Sequence, residues 1–466
     1  MMPKNNPFVV LLATTLSAFL TPFMGSALNV ALPVMASQLS MSALTLSWVA
    51  SAFLLTASIS LVPLGRIADI YGRRKVFIYG AFVFSISSAL CAAATSPLFL
   101  IVMRALQGTG GAMIFGTGTA MLLSAYPAVE RGRILGINVA AVYIGLTAGP
   151  FIGGLLTSHL GWRYIFLLTF FFGGLLIALT ITMIKEETPR AAGEKFDWGG
   201  SLIYAIALFA LMYGLSLLPS WRGWSLALLG LIFLSAFIRQ QIKRTHPLLD
   251  IRLFTQNRVF AFSNLAALIN YCATFAVTIL LSLYLQQIAK LSAAATGIIL
   301  IAEPVVQAVF SPLAGRLSDR REPQIISSAG MALTAVGLLL LFFINQATNI
   351  YYIIFCLSLI GLGFALFSSP NVNAAMSSVN NKYYGVASAT LGTMRLTGQM
   401  FSMAITMLVF SIVLGDKPFV EISNQLLLQS IKIILIILAI LCTAGIFASA
   451  ARGKMHRPNS AIPENN

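Results

Sequence analysis

Charge is what this sequence has least of. Only 9% of its 466 residues are Asp, Glu, Lys or Arg, against about 25% in soluble domains. Acids are the scarcer kind, with 13 Asp and Glu beside 29 Lys and Arg. Histidine occurs three times, at His159, His246 and His456, far apart and at the ends of apolar runs or in loops. The four cysteines, Cys91, Cys272, Cys356 and Cys442, lie in apolar stretches without CxxC or ligand spacing, and read as small buried core residues. No metal cluster, nucleophile triad or phosphate-cradling glycine loop is present in the pattern. No polar loop is long enough to be a nucleotide-binding domain. These absences argue against an enzyme, a metalloprotein and an ATP-driven machine, and no cofactor is expected.

What is present is apolar surface. Hydrophobic residues make up 58% of the chain and the mean hydropathy is +0.89. Runs near 20 residues recur, each long enough to cross a hydrocarbon core of about 30 Å as a helix. Fourteen spans are expected, near 8–28, 45–64, 76–96, 98–124, 133–157, 163–184, 199–218, 223–240, 259–287, 294–314, 325–344, 350–372, 385–414 and 427–450. The class is an all-α membrane protein in contact with the lipid bilayer. The first run has no small-residue cleavage site and is read as a retained helix.

The net charge of +16 has a topological origin. Twenty-two of the 29 Lys and Arg fall in alternate loops and tails on one side, and five on the other. The remaining two, Arg104 and Arg395, lie inside apolar runs. This positive-inside bias predicts cytoplasmic termini in a cytoplasmic (inner) membrane, and no nucleic-acid partner.

A charged hairpin, Gly65-Arg66-Ile67-Ala68-Asp69-Ile70-Tyr71-Gly72-Arg73-Arg74-Lys75, separates the second and third spans. A shortened echo, Gly315-Arg316-Leu317-Ser318-Asp319-Arg320-Arg321, follows 250 residues later. The offset predicts two six-helix halves, 1–184 and 259–451. Between them lies a two-helix insert with its linkers, 185–258. A polar, disordered tail is expected at 452–466. Gly65 and Gly72 suit a tight turn. Asp69 is placed to pair with Arg73 or to cap the following helix.

Several polar residues lie where hydrocarbon is expected. Arg104 and Gln107 share a face of the fourth span, and Arg395 and Gln399 share one in the thirteenth. An intramembrane arginine needs a polar cavity or a partner. Glu303 is the sole acid placed deep in a span; Pro304 follows it and Gln307 lies one turn on. As a carboxyl at that depth, Glu303 suits a proton carrier, or it is a neutral acid bonded to a neighbouring helix. Asn29 is a buried amide of the first span. Asn371 and Asn373 point about 200° apart on a helix, so at most one faces any cavity. Gly145, Gly149, Pro150, Gly153 and Gly154 form a smooth stripe in the fifth span that admits a close neighbour or permits bending. Trp48, Phe53, Phe115, Tyr143, Tyr271 and Tyr284 are candidates for an aromatic pocket, or for ordinary packing.

Jointly, these motifs resemble the major facilitator superfamily, and within it the fourteen-helix drug:H+ antiporters. The hairpin resembles that superfamily's signature between helices two and three, and Arg104–Gly111 its helix-four motif. Gly145–Gly154 resembles the helix-five antiporter motif, Asn29–Pro33 the end of the helix-one motif, and Gly161–Phe166 the start of helix six. The sequence departs from the pattern at Met24, where an aspartate is usual, and at Leu167–Phe171, where Asn and Pro are usual. The first half also lacks deep acids. The resemblance implies alternating access, with export of lipophilic small molecules, cations among them, in exchange for protons. Glu303 would carry the coupling, and Arg104 and Arg395 would repel the proton or hold a carboxylate. It implies cytoplasmic latches at Gly65, Asp69, Gly72, Arg73, Arg74, Gly315, Asp319 and Arg320. A transporter of a native metabolite is the alternative, and a membrane-embedded enzyme or structural subunit a remote one. Nothing in the sequence identifies a periplasmic adaptor.

Overall fold

The computed structural model describes residues 6–127, 130–184, 193–244, 247–249, 251–379, 384–415 and 418–453. The described residues are helical, with one isolated bridge between Ser42 and Pro418. Fourteen spans are long and apolar enough to cross a membrane, the number expected.

The first bundle holds α1 (Pro7–Gln38), α2 (Ala43–Tyr71), α3 (Arg73–Ala92), α4 (Pro97–Ala125), α5 (Arg131–His159) and α6 (Arg163–Met183). Next come α7 (Trp198–Ser216), α8 (Trp221–Lys243) and the short α9 (Arg252–Gln256). The second bundle starts with α10 (Arg258–Leu283), which runs on through a π-helical turn, Tyr284–Ile288. It continues with α11 (Ala293–Leu300), α12 (Ala302–Arg320), α13 (Pro323–Phe342), α14 (Ile350–Ser377), α15 (Tyr384–Val413) and α16 (Asn424–Ala450). Below, the membrane face near both ends of the chain is the tail side, and the other is the far side.

Local chemistry fixes the starts. Ser42, Ser96, Ser220, Ser292 and Ser423 each cap a helix by accepting a hydrogen bond from a backbone N–H three residues on, satisfying one of the free donors at that end. Proline stands in the first turn of α1, α4 and α13, where its missing N–H costs nothing.

The structure corrects two readings of the charged hairpin. Gly65–Tyr71 is helix, not loop, and the whole turn is Gly72 at φ +111°. Charged residues end an apolar run but do not end a helix, whose backbone bonds are internal. Gly65 therefore serves no turn. The echo behaves alike: α12 stays helical to Arg320, and Pro323 opens α13. A third correction concerns the tenth span, which is broken between Leu300 and Ala302. Pro304 has no N–H for the Leu300 carbonyl four residues back, and its ring crowds that carbonyl. Glu303 lies in the first turn after the break.

The glycine stripe of α5 has two faces. A Cβ on Gly145, Gly149 or Gly153 would meet the Phe19 carbonyl at 2.5 Å, Ser26 Oγ at 1.9 Å or Ala27 Cα at 2.7 Å. That face lies flush on α1. Gly154 faces the second bundle instead, where a Cβ would come 2.5 Å from the Ala293 carbonyl. α5 remains one helix through Pro150.

The α7–α8 pair touches both bundles, with α7 against α2 and α15. The Tyr204 hydroxyl donates to the Ser58 carbonyl (3.4 Å), and Ser411 Oγ of α15 donates to the Leu218 carbonyl (3.0 Å). Trp48 packs on Tyr213 with ring centroids 6.0 Å apart. Asp197 caps α7, accepts from Gln241 Nε2 (3.0 Å) and pairs with Arg244 (3.5 Å). Glu194 pairs with Arg66 of α2. Both partners are part-exposed, so Glu194→Ala should change stability by under about 1 kcal/mol, visible as a nearly unmoved melting temperature in detergent.

Candidate functional site between the bundles

The two bundles are joined at their far-side ends. Gln286 Nε2, in the π-helical turn, donates to the Val30 carbonyl of α1 (2.8 Å). Ala294 N donates to Ser158 Oγ (2.9 Å), and Phe419 N to the Met41 carbonyl (2.9 Å). Gly297 lies so close to α5 that a Cβ would sit 2.1 Å from the Pro150 carbonyl. At Gly154 and Gly297 the far-side closure is backbone against backbone, with no room for a side chain at either position.

On the tail side, the hydrogen bonds of Arg73, Arg74 and Asn373 to Asp69, Ala120, Ile181 and Ser318 each stay inside one bundle. Arg73 pairs with Asp69 through Nε (2.9 Å) and Nη2 (2.7 Å), and donates to the Ala120 carbonyl (3.3 Å). Arg74 donates to the Ile181 carbonyl of α6 (3.0 Å). Asn373 donates to Ser318 (3.0 Å) in the second bundle. Asp69 and Arg73 thus tie α2 to α3 and α4 rather than one bundle to the other in this conformation. The Asp319 side chain lies outside the described residues. Arg320 is exposed, and Gly315 packs against Ser369.

Near mid-membrane one polar cluster bridges the bundles. Ser311 Oγ of α12 donates to the Tyr143 hydroxyl of α5 (3.1 Å), which also bonds Ser368 of α14. The Arg395 guanidinium of α15 lies over the Tyr271 ring of α10, 5.0 Å from its centroid. Phe364 meets the Tyr271 ring edge-on at 5.2 Å. The cluster draws on four helices of the second bundle and one of the first. Of the six candidate pocket aromatics, Tyr143 and Tyr271 meet here. Phe53 lies under Arg104, Trp48 on the α7–α8 pair, and Tyr284 donates to the Asn345 carbonyl (2.6 Å). Phe115 lies beside Gly392.

Arg104 is elsewhere. It is 2% exposed and buried within the first bundle. Its Nε donates to the Val49 carbonyl (3.0 Å), its Nη1 bonds Gln107 Oε1, and Phe53 covers it at 4.6 Å. Gln107 passes the chain on to Ser88 (2.6 Å). The pair expected to line the cavity instead fastens α4 to α2 and α3, because a carbonyl, an amide and a ring face together satisfy the cation. Arg104→Ala should cost about 1–3 kcal/mol for each polar partner left bare, read as a lowered melting temperature of the purified protein.

Asn371 also leaves the cavity. Its Nδ2 donates to the Ser263 carbonyl (3.1 Å) and its Oδ1 accepts from Arg452. Arg452, assigned from sequence to the polar tail, is 1% exposed; burial pushes its pKa down to about 10. No periodicity or motif marks the pairing of residues 371 and 452. Asn29 and Gln307 are nearly buried, and Gln399 is half-buried. Glu303 is half-buried, packed with its backbone against Gly361 of α14, and has no hydrogen bond or ion pair among the described residues. Two surface hollows, one beside Ser42, Ser96 and Pro418 and one along Gly193–Gly199, lie at the membrane ends, away from these groups. Among the described residues no group of three His, Cys, Asp or Glu is placed to hold a metal.

The sequence pattern of the Major Facilitator Superfamily matches residues 14–402 and 263–464, which together span most of the chain. The chain belongs to the Major Facilitator Superfamily. This superfamily member is similar to the riboflavin transporter RibZ of Clostridioides difficile, 28% identical over 388 residues, covering 83% of this chain and 85% of that one. It is also similar to the multidrug resistance protein Stp of Mycobacterium tuberculosis, 29% identical and covering 86% and 75%. In fold it resembles the solved bacterial homolog of the human lysosomal transporter Spinster, with a TM-score of 0.70, 16% identity and coverage of 96% and 97%. It is a multi-pass membrane transporter, not an enzyme.

Proposed function

We propose that this superfamily member exports lipophilic small molecules in exchange for protons, by alternating access across a cytoplasmic membrane. The tail side faces the cytoplasm, a reading supported by the one-sided distribution of Lys and Arg. Glu303 carries the reading. It is an acid at a helix break in mid-span, without a fixed partner among the described residues. A carboxyl that holds no salt bridge is free to exchange its charge for a substrate or a proton. With the far-side ends joined, the conformation here is closed on the far side.

The test is efflux from vesicles under an imposed pH gradient, with cationic, neutral and anionic dyes. Efflux that follows the gradient and collapses with an uncoupler is the expected result; efflux indifferent to the gradient sinks proton coupling. A native-metabolite transporter is the second reading, favoured by the similarity to RibZ, and a substrate screen separates the two.

The Asp69–Arg73 pair serves as one side of a latch that reaches the other bundle when the cytoplasmic side closes. Asp69→Asn should slow turnover several-fold while leaving binding unchanged. Labelling from the two sides is the check: an unaltered accessibility pattern in the variant removes the latch role.

A further inference from the structure

Arg395 stands out among the described groups. It lies eleven residues along α15 from Tyr384, or about 16 Å from the tail-side end at a rise of about 1.5 Å per residue. At that depth a cation is costly unless something compensates it. Arg104 shows how this chain compensates a buried arginine, with a carbonyl, an amide and a ring. Arg395 has only the ring. Among the described residues its guanidinium meets no acceptor, and none of its nitrogens is sealed from solvent without a partner. The residue is half-buried, on the helix that packs against α2 of the other bundle.

The chemistry around it is consistent. Glu303 does not pair with it. Tyr271, under the guanidinium, is braced edge-on by Phe364 at 5.2 Å and 78°, which presents a fixed aromatic platform. From the first bundle comes the Tyr143 hydroxyl, held by Ser311 and Ser368 and within reach of the Arg395 charge. A planar fork of N–H donors beside an aromatic face and a hydroxyl matches a carboxylate, sulfonate or phosphate attached to a flat ring. A cationic compound would meet an unneutralised guanidinium there instead.

We propose that the mid-membrane site selects amphipathic aromatic anions, with Arg395 binding the anionic group and Tyr271 stacking on the ring. This rests on the transport reading above, and it names the substrate class opposite to the cationic one implied by the resemblance. Because Tyr143 belongs to the first bundle and the other groups to the second, a ligand held by both would resist separation of the bundles at this level.

The test uses two dyes with the same xanthene ring system, fluorescein as the anion and rhodamine 6G as the cation. Binding to the purified full-length protein in detergent is followed by fluorescence anisotropy, without any pH gradient. Fluorescein should bind at least tenfold more tightly than rhodamine 6G. Arg395→Gln should remove that preference, and Arg395→Lys should keep part of it, since the charge stays but the fork is lost. Tyr271→Leu should weaken both dyes. Equal or tighter binding of rhodamine 6G, absence of binding by either dye, or an unchanged fluorescein affinity in Arg395→Gln would overturn the proposal. If Arg395→Gln does not fold, an unchanged preference in Arg395→Lys together with unchanged affinities in Tyr271→Leu does the same. Failure of this test leaves proton-driven export of other compounds standing, and failure of the gradient assay leaves the binding result standing.

Discussion

Glu303→Gln should reduce pH-gradient-driven efflux at least tenfold, without lowering protein level or melting temperature. The side chain keeps its size and one carbonyl oxygen, so packing against Gly361 is preserved. What it loses is the capacity to take and release a proton. An amide in hydrocarbon also costs less than a carboxylate, so the variant should melt at the same temperature or above it. Glu303 has no salt bridge among the described residues, and neutralising it therefore orphans no cation. A purely structural acid would behave in the opposite way, with stability changing and transport following it down. Efflux at the wild-type rate in Glu303→Gln would take the coupling role away from this residue. Counterflow of dye without a gradient should survive, since alternation itself does not need the proton carrier.

Gly154→Val and Gly297→Val should hold the far side open. Both glycines press backbone against the opposite bundle, with a Cβ predicted 2.5 Å from the Ala293 carbonyl and 2.1 Å from the Pro150 carbonyl. Neither neighbour is the end of a flexible side chain, so the bundles must part to relieve the contact. Overpacking costs about 1–3 kcal/mol, a shift of about 5–150-fold in the balance between conformations. Cysteine labelling from the far side should rise and efflux should fall, with the melting temperature little changed. Gly149→Val is the contrast: its Cβ would collide with Ser26 Oγ and the backbone of Ala27 inside the first bundle. There no alternative conformation relieves the clash, so loss of folded protein is expected. Equal behaviour of the three variants would show that the stripe has one face, not two.

The number of spans was legible because hydropathy reports transfer from water, and each span pays that cost separately. Where the spans end was less legible. Gly65–Tyr71 looks like a loop by charge but is the last two turns of α2, since helix termini reach past the hydrocarbon into water, where charged side chains are welcome. The break at Ile301 follows from Pro304, which is visible in the sequence, yet proline inside α5 at Pro150 leaves that helix whole. The difference lies in what the neighbouring helices permit, which no local pattern carries. Sequence placed both intramembrane arginines but could not tell them apart. Arg104 finds Val49, 55 positions away, while Arg395 finds a ring face and no acceptor among the described residues. Arg452 meeting Asn371 was likewise beyond the reach of periodicity, because the bond depends on how α16 ends against α10 and α14.

The placement of α7 makes the molecule's two flanks unequal. One seam between the bundles runs between α2 and α15 and has α7 laid along it; the other runs between α5 and α11, where neither α7 nor α8 packs extensively among the described residues. A compound already dissolved in the bilayer would meet one flank covered by α7 and one that α7 does not cover, and sideways entry through the first would require α7 to move.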